Sequence, residues 1–237
     1  DSLLADYEIH YGGTAYVTDS VPQLIRNDVQ LLIKAGLIIM LIMLLVNLRS
    51  LKAVIMVFIV IIPSLIAMMG FMGWAYKITG LTCFLFALLN TSMPIILLTI
   101  ANSDGVHVIT KFFREFRRLK NVKTAIEHTM ESLLIPIFLT SITTIAAFLT
   151  MISSPLEPLI GYGICMSAGI AWAWILSSLT LPAIINMVPW DSTSYSIAKP
   201  SILENLALFF STIVMRFPAQ TFSIGVLMVV IGGIGIQ

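Results

Sequence analysis

The stretch from Leu31 to Trp74, LLIKAGLIIMLIMLLVNLRSLKAVIMVFIVIIPSLIAMMGFMGW, decides the fold of this chain. It contains two apolar runs, Leu31–Leu48 and Ala53–Trp74, separated by a short loop that carries Arg49 and Lys52. Each run is close to the ~20 apolar residues that a helix needs to cross a bilayer. The stretch therefore predicts two transmembrane helices joined by a cationic loop.

The composition of the whole chain supports a membrane protein. The chain has 237 residues, of which 58% are hydrophobic and 11% are charged. A soluble domain is about 25% charged, so this chain has too few charges to cover a surface that faces water. The net charge of +1 says little about partners. No basic patch with interleaved aromatic residues suggests nucleic acid, so none is expected as a partner.

Three further spans and part of a fourth follow the first two. The third ends near Phe113, and the next two are predicted at Leu133–Ile152 and Leu159–Val188. The third begins with Asn90, Thr91 and Ser92 before Pro94, which resembles a helix start because proline is tolerated in the first turn. Leu81–Leu89 would then be a separate interfacial or re-entrant segment, and a last span begins near Thr221.

The N-terminal region differs from the rest in being polar. YEIHYGGTAYVT has strand-like residues around Gly12-Gly13, and DSVPQLIRNDVQ then predicts a helix that leads into the membrane. The fold class predicted is an all-α membrane bundle of five spans plus the start of a sixth, with a short α/β extracytoplasmic remnant. The predicted divisions are 1–30 (end of an extracytoplasmic domain and lead-in helix), 31–188 (bundle), 189–220 (cytoplasmic linker with an interfacial helix) and 221–237 (start of the next span). Because both ends interrupt such elements, we expect a piece of a longer protein.

Cations in the loops predict the orientation. One set of loops carries Arg49, Lys52, Lys111, Arg114, Arg117, Arg118, Lys120, Lys123, Lys199 and Arg216, whereas the opposite set carries Arg26 and Lys77. Cytoplasmic loops are enriched in lysine and arginine. The N-terminal segment is therefore predicted to be extracytoplasmic, and the expected location is a bacterial inner membrane. FFREFRRLKNVKTAIEHTMESLL and SILENLALFFSTIVMRF are predicted as cytoplasmic helices at the membrane surface, and ordinary connecting helices under the bundle are preferred to a specific lipid-binding role.

Asp104 is the acidic residue, out of twelve, that falls inside a predicted span. An aspartate at mid-membrane costs at least about 2.5 kcal/mol, and such residues usually mark ion pathways. Loss of water favours the protonated carboxyl, so Asp104 could bind and release a proton near neutral pH. His107 lies one turn further on the same face. The alternative is a structural aspartate that pairs with His107 or caps a helix break at Gly105.

Hydroxyl groups cluster in the following span, in TSITTIAAF. Thr140, Ser141 and Thr144 lie on one helical face and can relay protons or bond a carboxylate on a neighbouring helix. They can equally bond back to carbonyls of their own helix. In the fifth span, GYGICMSAGIAWAW has small residues that predict close helix packing.

No catalytic or cofactor site is visible in the sequence. Cys83 and Cys165 lie in apolar runs without metal-ligand spacing, and no nucleophile triad, P-loop or metal cluster appears. We therefore expect no cofactor, no metal and no enzymatic activity.

The combination of DGVH, the following KFFREFRR and TSITT in the next span resembles the resistance-nodulation-division (RND) superfamily of exporters. The likeness is greatest to the hydrophobe-exporter branch, which includes the mycobacterial membrane protein large group and the Patched-like, sterol-sensing proteins. It covers nearly the whole chain, which would be a half-repeat holding the family's spans two to six. This chain has Ser103-Asp104 where drug-efflux members often have paired acids.

The resemblance implies a proton-driven transporter of lipids or other hydrophobic molecules. It implies a proton relay that includes Asp104, with His107, Thr140, Ser141 and Thr144, and partner groups in a missing second half-repeat. Membrane lipids, protons and the hydrophobic substrate are the expected partners. A homo-oligomer is possible, since trimers and monomers both occur among relatives. Two alternatives stay open: a sterol- or lipid-sensing module without transport, and a secretion-accessory membrane protein.

Overall fold

The described part of the chain is built from helices. The computed structural model describes residues 14–85, 88–191, 197 and 202–234. Its α-helices are α1 (Thr14–Leu48), α2 (Leu51–Thr79), α3 (Met93–Leu119), α4 (Val122–Leu149), α5 (Glu157–Ile175), α6 (Leu181–Met187), α7 (Ile202–Arg216) and α8 (Pro218–Ile234). Short 3-10 turns lie at Thr82–Phe84, Leu88–Ser92 and Thr150–Ser153, and a π-helical turn lies at Leu176–Thr180.

Five helical segments within the described residues are long and apolar enough to cross a bilayer, which confirms the predicted number of complete spans. They are Gln30–Leu48, Leu51–Thr79, Leu89–Leu119, Val122–Ser153 and Glu157–Met187. Several exceed the predicted bounds, because the helices continue beyond the apolar run into polar residues.

The prediction of an α/β remnant at the N-terminus is not supported. Thr14 to Thr18, the second half of the strand-like stretch, form the first turns of α1, and the residues before Thr14 lie outside the described part. No strand occurs among the described residues. Thr and Val favour strands only weakly, and here helix continuity overrides that preference. The stretch DSVPQLIRNDVQ lies within α1, which continues without a break into the first span.

Local signals at the helix ends explain the short loops. The Ser50 hydroxyl accepts a hydrogen bond from the amide of Ala53 at the start of α2, and Asn121 does the same for Thr124 in α4. Gly80 ends α2 with a φ of 67°, a conformation that glycine adopts without strain. The predicted start of the third span is confirmed, because α3 begins at Met93 with Pro94 in its first turn.

Helix α5 packs in the middle of the bundle, and glycine lets its neighbours approach. A Cβ atom on Gly163 would overlap the carbonyl oxygen of Phe148 in α4, and one on Gly169 would lie 2.9 Å from Met68 in α2. At Gly161 the main chain of the Thr82–Phe84 turn is in the way. The small residues of GYGICMSAG therefore serve close packing, as the sequence predicts.

One polar contact joins α5 to α4, and removing it should have a small effect. The Ser167 hydroxyl donates to the carbonyl of Ile145 at 3.2 Å and to Gly163 in its own helix at 2.8 Å. Interhelical hydrogen bonds in membranes average about 0.6 kcal/mol, with a maximum near 1.7 kcal/mol. Ser167→Ala should thus lower the free energy of unfolding by about 0.6 kcal/mol, measured by reversible denaturation in mixed micelles. A loss well above ~2 kcal/mol would show that the hydrogen bond, and not glycine packing, holds the two helices together.

The last part of the fifth span contains an irregular turn. Leu176–Thr180 form a π-helical turn between α5 and α6, and Pro182 follows it. Proline has no amide hydrogen to donate to the carbonyl four residues earlier, so the regular helical ladder is interrupted at this point.

The predicted surface helix after the third span is wrong in its placement. KFFREFRRL continues α3 without a break, and its phenylalanines are buried inside the protein and do not lie on the membrane surface. Phe112 and Phe113 contact the ring of Trp190, which follows α6, with centroid distances of 5.4 Å and 5.6 Å. The Trp190 indole nitrogen donates to the carbonyl of Ile185 at 2.8 Å. The sequence alone could not reveal this because the partner of the phenylalanines is distant in the chain.

The second predicted helix is present as α7, and its place at the membrane surface stays a prediction. It meets α8 at an angle of 98° between Phe209–Arg216 and Pro218–Ile231. A near right angle is the geometry expected of a helix that lies along a membrane surface before a span that enters it.

Candidate functional site

Polar residues of α3 and α4 line one cavity of about 450 Å³. On each helix these residues recur at the three- and four-residue spacing of one helical face. The polar residues of the wall are Thr99, Ser103, Asp104, His107, Thr140, Ser141 and Thr144. All five of the predicted site residues thus line the same space, although their part in proton relay stays a prediction.

The cavity has a buried floor and an exposed rim. Asp104 is 7% exposed and Ser141 is 4% exposed, so the carboxyl and one hydroxyl lie at the floor. Ser103, His107 and Thr140 are exposed at the rim. The imidazole of His107 is therefore more exposed than the carboxyl of Asp104, which lies one helical turn away in α3.

Neither structural arrangement considered for Asp104 is present. Helix α3 is continuous from Met93 to Leu119, so there is no helix break at Gly105 to cap. Within the described residues, no hydrogen bond or ion pair joins Asp104 to His107 or to another side chain. Gly105 has a different role, because a Cβ there would lie 3.2 Å from the side chain of Val57 in α2. The glycine lets α3 lie against α2 and keeps Asp104 deep in the bundle.

The hydroxyls of α4 divide into two groups. Those of Thr140 and Thr144 donate to carbonyls of their own helix, to Ile137 at 2.9 Å and to Thr140 at 2.6 Å. The alternative of back-bonding therefore holds for these two threonines. Ser141 has no hydrogen-bond partner among the residues that the structure describes, and it is the more buried hydroxyl. Ser141 is thus the hydroxyl of TSITT best placed to bond a group that enters the cavity.

Helix α3 contains a second buried acid, Glu115, whose carboxylate is paired with cations. Glu115 is 8% exposed, but Lys111 and Arg118 each lie 3.1 Å from its carboxylate oxygens. Sequence analysis left Glu115 outside the third span because the apolar run ends near Phe113. Two cations on the same helix stabilise its charge, whereas Asp104 has no such neighbour in the described structure.

Sequence reasoning missed six residues of the cavity wall, of which Ile100, Leu133 and Ile137 are apolar. Thr99 and Ser103 belong to it, as does Pro136, whose ring replaces an amide donor within α4. The signal was available for the first two, because positions 99, 103 and 107 recur every four residues on one face of α3. Pro136 carries the same signal, since it lies four residues before Thr140 on the face of α4 that lines the cavity.

A bundle of apolar helices long enough to cross a bilayer defines this chain as an integral membrane protein. The sequence profile of the MMPL family matches residues 2–201, so the chain belongs to the MMPL family, a branch of the RND superfamily. This confirms the resemblance seen in the sequence. Members of the family are exporters of hydrophobic molecules and are transporters, not enzymes. No curated protein matches the chain closely enough to count as a relative.

Proposed function

We propose that this chain is the membrane half-repeat of a proton-driven exporter of lipids or other hydrophobic molecules, and that Asp104 carries the proton. The observation that supports the proposal best is the unpaired carboxyl of Asp104 at the floor of the cavity between α3 and α4. A carboxyl withdrawn from water favours its protonated form, so it can take up a proton and release it when water reaches it. Each charge that crosses 100 mV supplies about 2.3 kcal/mol for export.

The other polar residues of the cavity would assist the transfer of this proton to and from Asp104. His107 at the rim would exchange protons with water, and the free hydroxyl of Ser141 would bond the carboxyl in one of its two protonation states. Thr140 and Thr144 have weaker roles in the proposal because their hydroxyls already have acceptors. The exposed rim is the face on which a second half-repeat would supply the remaining groups of the relay.

The proposed setting is a bacterial inner membrane, with the end of α1 at Thr14 extracytoplasmic. The excess of lysine and arginine around the α1–α2 and α3–α4 loops supports this orientation. Proton uptake would then occur from the extracytoplasmic side. Release would occur on the cytoplasmic side, because His107 lies nearer than Asp104 to the cytoplasmic end of α3.

A lipid-sensing module that moves no protons is the second candidate. Its supporting observation is the back-bonding of Thr140 and Thr144, which leaves most hydroxyls of TSITT satisfied without a relay. In that case the cavity would be a feature of packing, and changing Asp104 would leave function intact.

The experiment that tests the proposal is proton flux in vesicles that hold the full protein, under an imposed pH gradient, with a mixed lipid extract as candidate substrate. Flux that requires both the protein and the lipid extract would support proton-driven export. No flux above that of protein-free vesicles, in protein shown to be folded, would contradict it and favour the sensing module.

The hydroxyls of α4 provide a matched pair of variants for the same assay. Ser141→Ala should slow proton flux severalfold, because it removes the free hydroxyl at the cavity floor. Thr143→Ala should leave the flux unchanged, since Thr143 donates to Leu139 at 2.8 Å on its own helix and does not line the cavity. Equal rates in the two variants would remove Ser141 from the proposed relay.

A further inference from the structure

A second hollow lies on the other side of α3, between α1 and the first half of α3. It encloses about 310 Å³, and its α1 wall is formed by Ile33, Gly36, Leu37, Ile39, Met40 and Met43. The α3 wall runs from Pro94 to Asn102, and Leu65 of α2 lies at the back. We call this space the α1–α3 groove. Ile39 and Met43 are 62% and 61% exposed, so the groove opens to the side of the bundle.

The shape and depth of the groove determine what can fill it. Its α1 wall extends over ten residue steps, or about 15 Å of helix. The walls belong to segments that are apolar enough to span the bilayer, so the surrounding medium at this depth is lipid chains, not water. A helix about 10 Å wide would occupy on the order of 1,000 Å³ over this length, more than the groove offers. At roughly 30 Å³ per methylene, similar to a water molecule, the groove holds on the order of ten methylenes.

We propose that the α1–α3 groove binds one acyl chain of a bilayer phospholipid, which lies parallel to the two helices and holds α1 against α3. The chain supplies the apolar contacts that α1 lacks on this side. The site itself is independent of proton transport, and only its effect on export rests on the proposed function.

The position of the groove suggests how a bound chain would act on the rest of the protein. Thr99 lines both the groove and the Asp104 cavity, so the two spaces are separated by a single helix. On its other side the groove contacts α1, whose 35 residues make a helix of about 50 Å, longer than the ~30 Å hydrocarbon core. A chain in the groove thus joins the helix of the proposed proton site to the helix that extends out of the membrane.

Glycine positions give a clean test of this site. Gly36 lines the groove and a Cβ there meets no atom within 4 Å, so the side chain of Gly36→Leu has room to start into the groove and should fill part of it. Gly70 in α2 is equally unobstructed but lies outside the groove, which makes Gly70→Leu the matched control. Both changes introduce a better helix former than glycine, so neither should impair folding.

The measurement is photolabelling of the full protein in nanodiscs of phosphatidylethanolamine and phosphatidylglycerol, with a phosphatidylethanolamine that carries a diazirine in its acyl chain. Mass spectrometry of the labelled peptides should find label on the groove residues of α1 and α3 in wild type and in Gly70→Leu, and severalfold less in Gly36→Leu. Label that is confined to the outer faces of the helices, or that is equal in all three proteins, would overturn the proposal, including the case where another helix covers the groove. Asp104→Asn should label as wild type does, which separates a failure of this site from a failure of the proposed proton transport.

Discussion

Proton flux should fall to the level of protein-free vesicles when Asp104 is replaced by asparagine in the full protein. Asparagine has nearly the same size and can still form hydrogen bonds, but it cannot bind and release a proton. The variant should also be at least as stable as wild type. The amide is neutral, as the protonated carboxyl is, so the change places no new charge in the buried site.

The two readouts together separate a proton carrier from a structural aspartate. If Asp104 stabilised the bundle through a partner, the amide would lower the free energy of unfolding by some 1–3 kcal/mol while flux persisted. Glu131→Gln is the matched control, because it makes the same chemical change at a side chain that is 81% exposed and outside the cavity. Flux in Asp104→Asn equal to that of the control would refute the proposed proton role.

Gly161→Ala should destabilise the protein more than the addition of a methyl group at any other glycine of the described bundle. The added Cβ would overlap the carbonyl oxygen of Cys83, and main chain cannot move aside as a flexible side chain can. Overpacking of this kind usually costs about 1–3 kcal/mol and sometimes more. We expect a loss of stability at or above the top of that range, visible as a lower melting temperature of the detergent-solubilised protein.

Gly73→Ala is the control for this prediction, since a Cβ there meets no atom within 4 Å. Alanine favours the helix over glycine by up to ~1 kcal/mol, so this variant should be unchanged or slightly more stable. A Gly161→Ala protein that melts with the control would mean that α5 does not approach the Thr82–Phe84 turn as closely as the structure shows.

Much of the architecture could be predicted because bilayer thickness and hydropathy constrain it directly. The five spans, the start of α3 at Pro94 and the glycine packing of α5 all depend on local composition. The strand expected around Gly12-Gly13 was wrong over Thr14 to Thr18, because a few β-favouring residues cannot outweigh the continuation of a long helix. The helix bounds also extended past the apolar runs, which is how Glu115 entered α3.

Part of the candidate site could be predicted, namely the residues whose chemistry is conspicuous in an apolar span. Asp104, His107 and the hydroxyls of TSITT stand out by type, and helical spacing indicates which of them share a face. The sequence could not show that Thr144 bonds back to Thr140 whereas Ser141 does not, because that depends on rotamers. The contact of Phe112 with Trp190 and the groove along Gly36 depend on tertiary packing between distant segments.

The aromatic contact at Trp190 also constrains how α3 can move. Phe112 and Phe113 fix one end of this helix to the chain that follows α6, so a displacement of α3 becomes a tilt about that end. Met93 lies nineteen residues away, about 28 Å along the axis. A tilt of ~5° would shift that far end by ~2.5 Å but Asp104 by only ~1 Å. A small tilt of α3 therefore moves its Met93 end, which lies beside α1, more than twice as far as it moves Asp104.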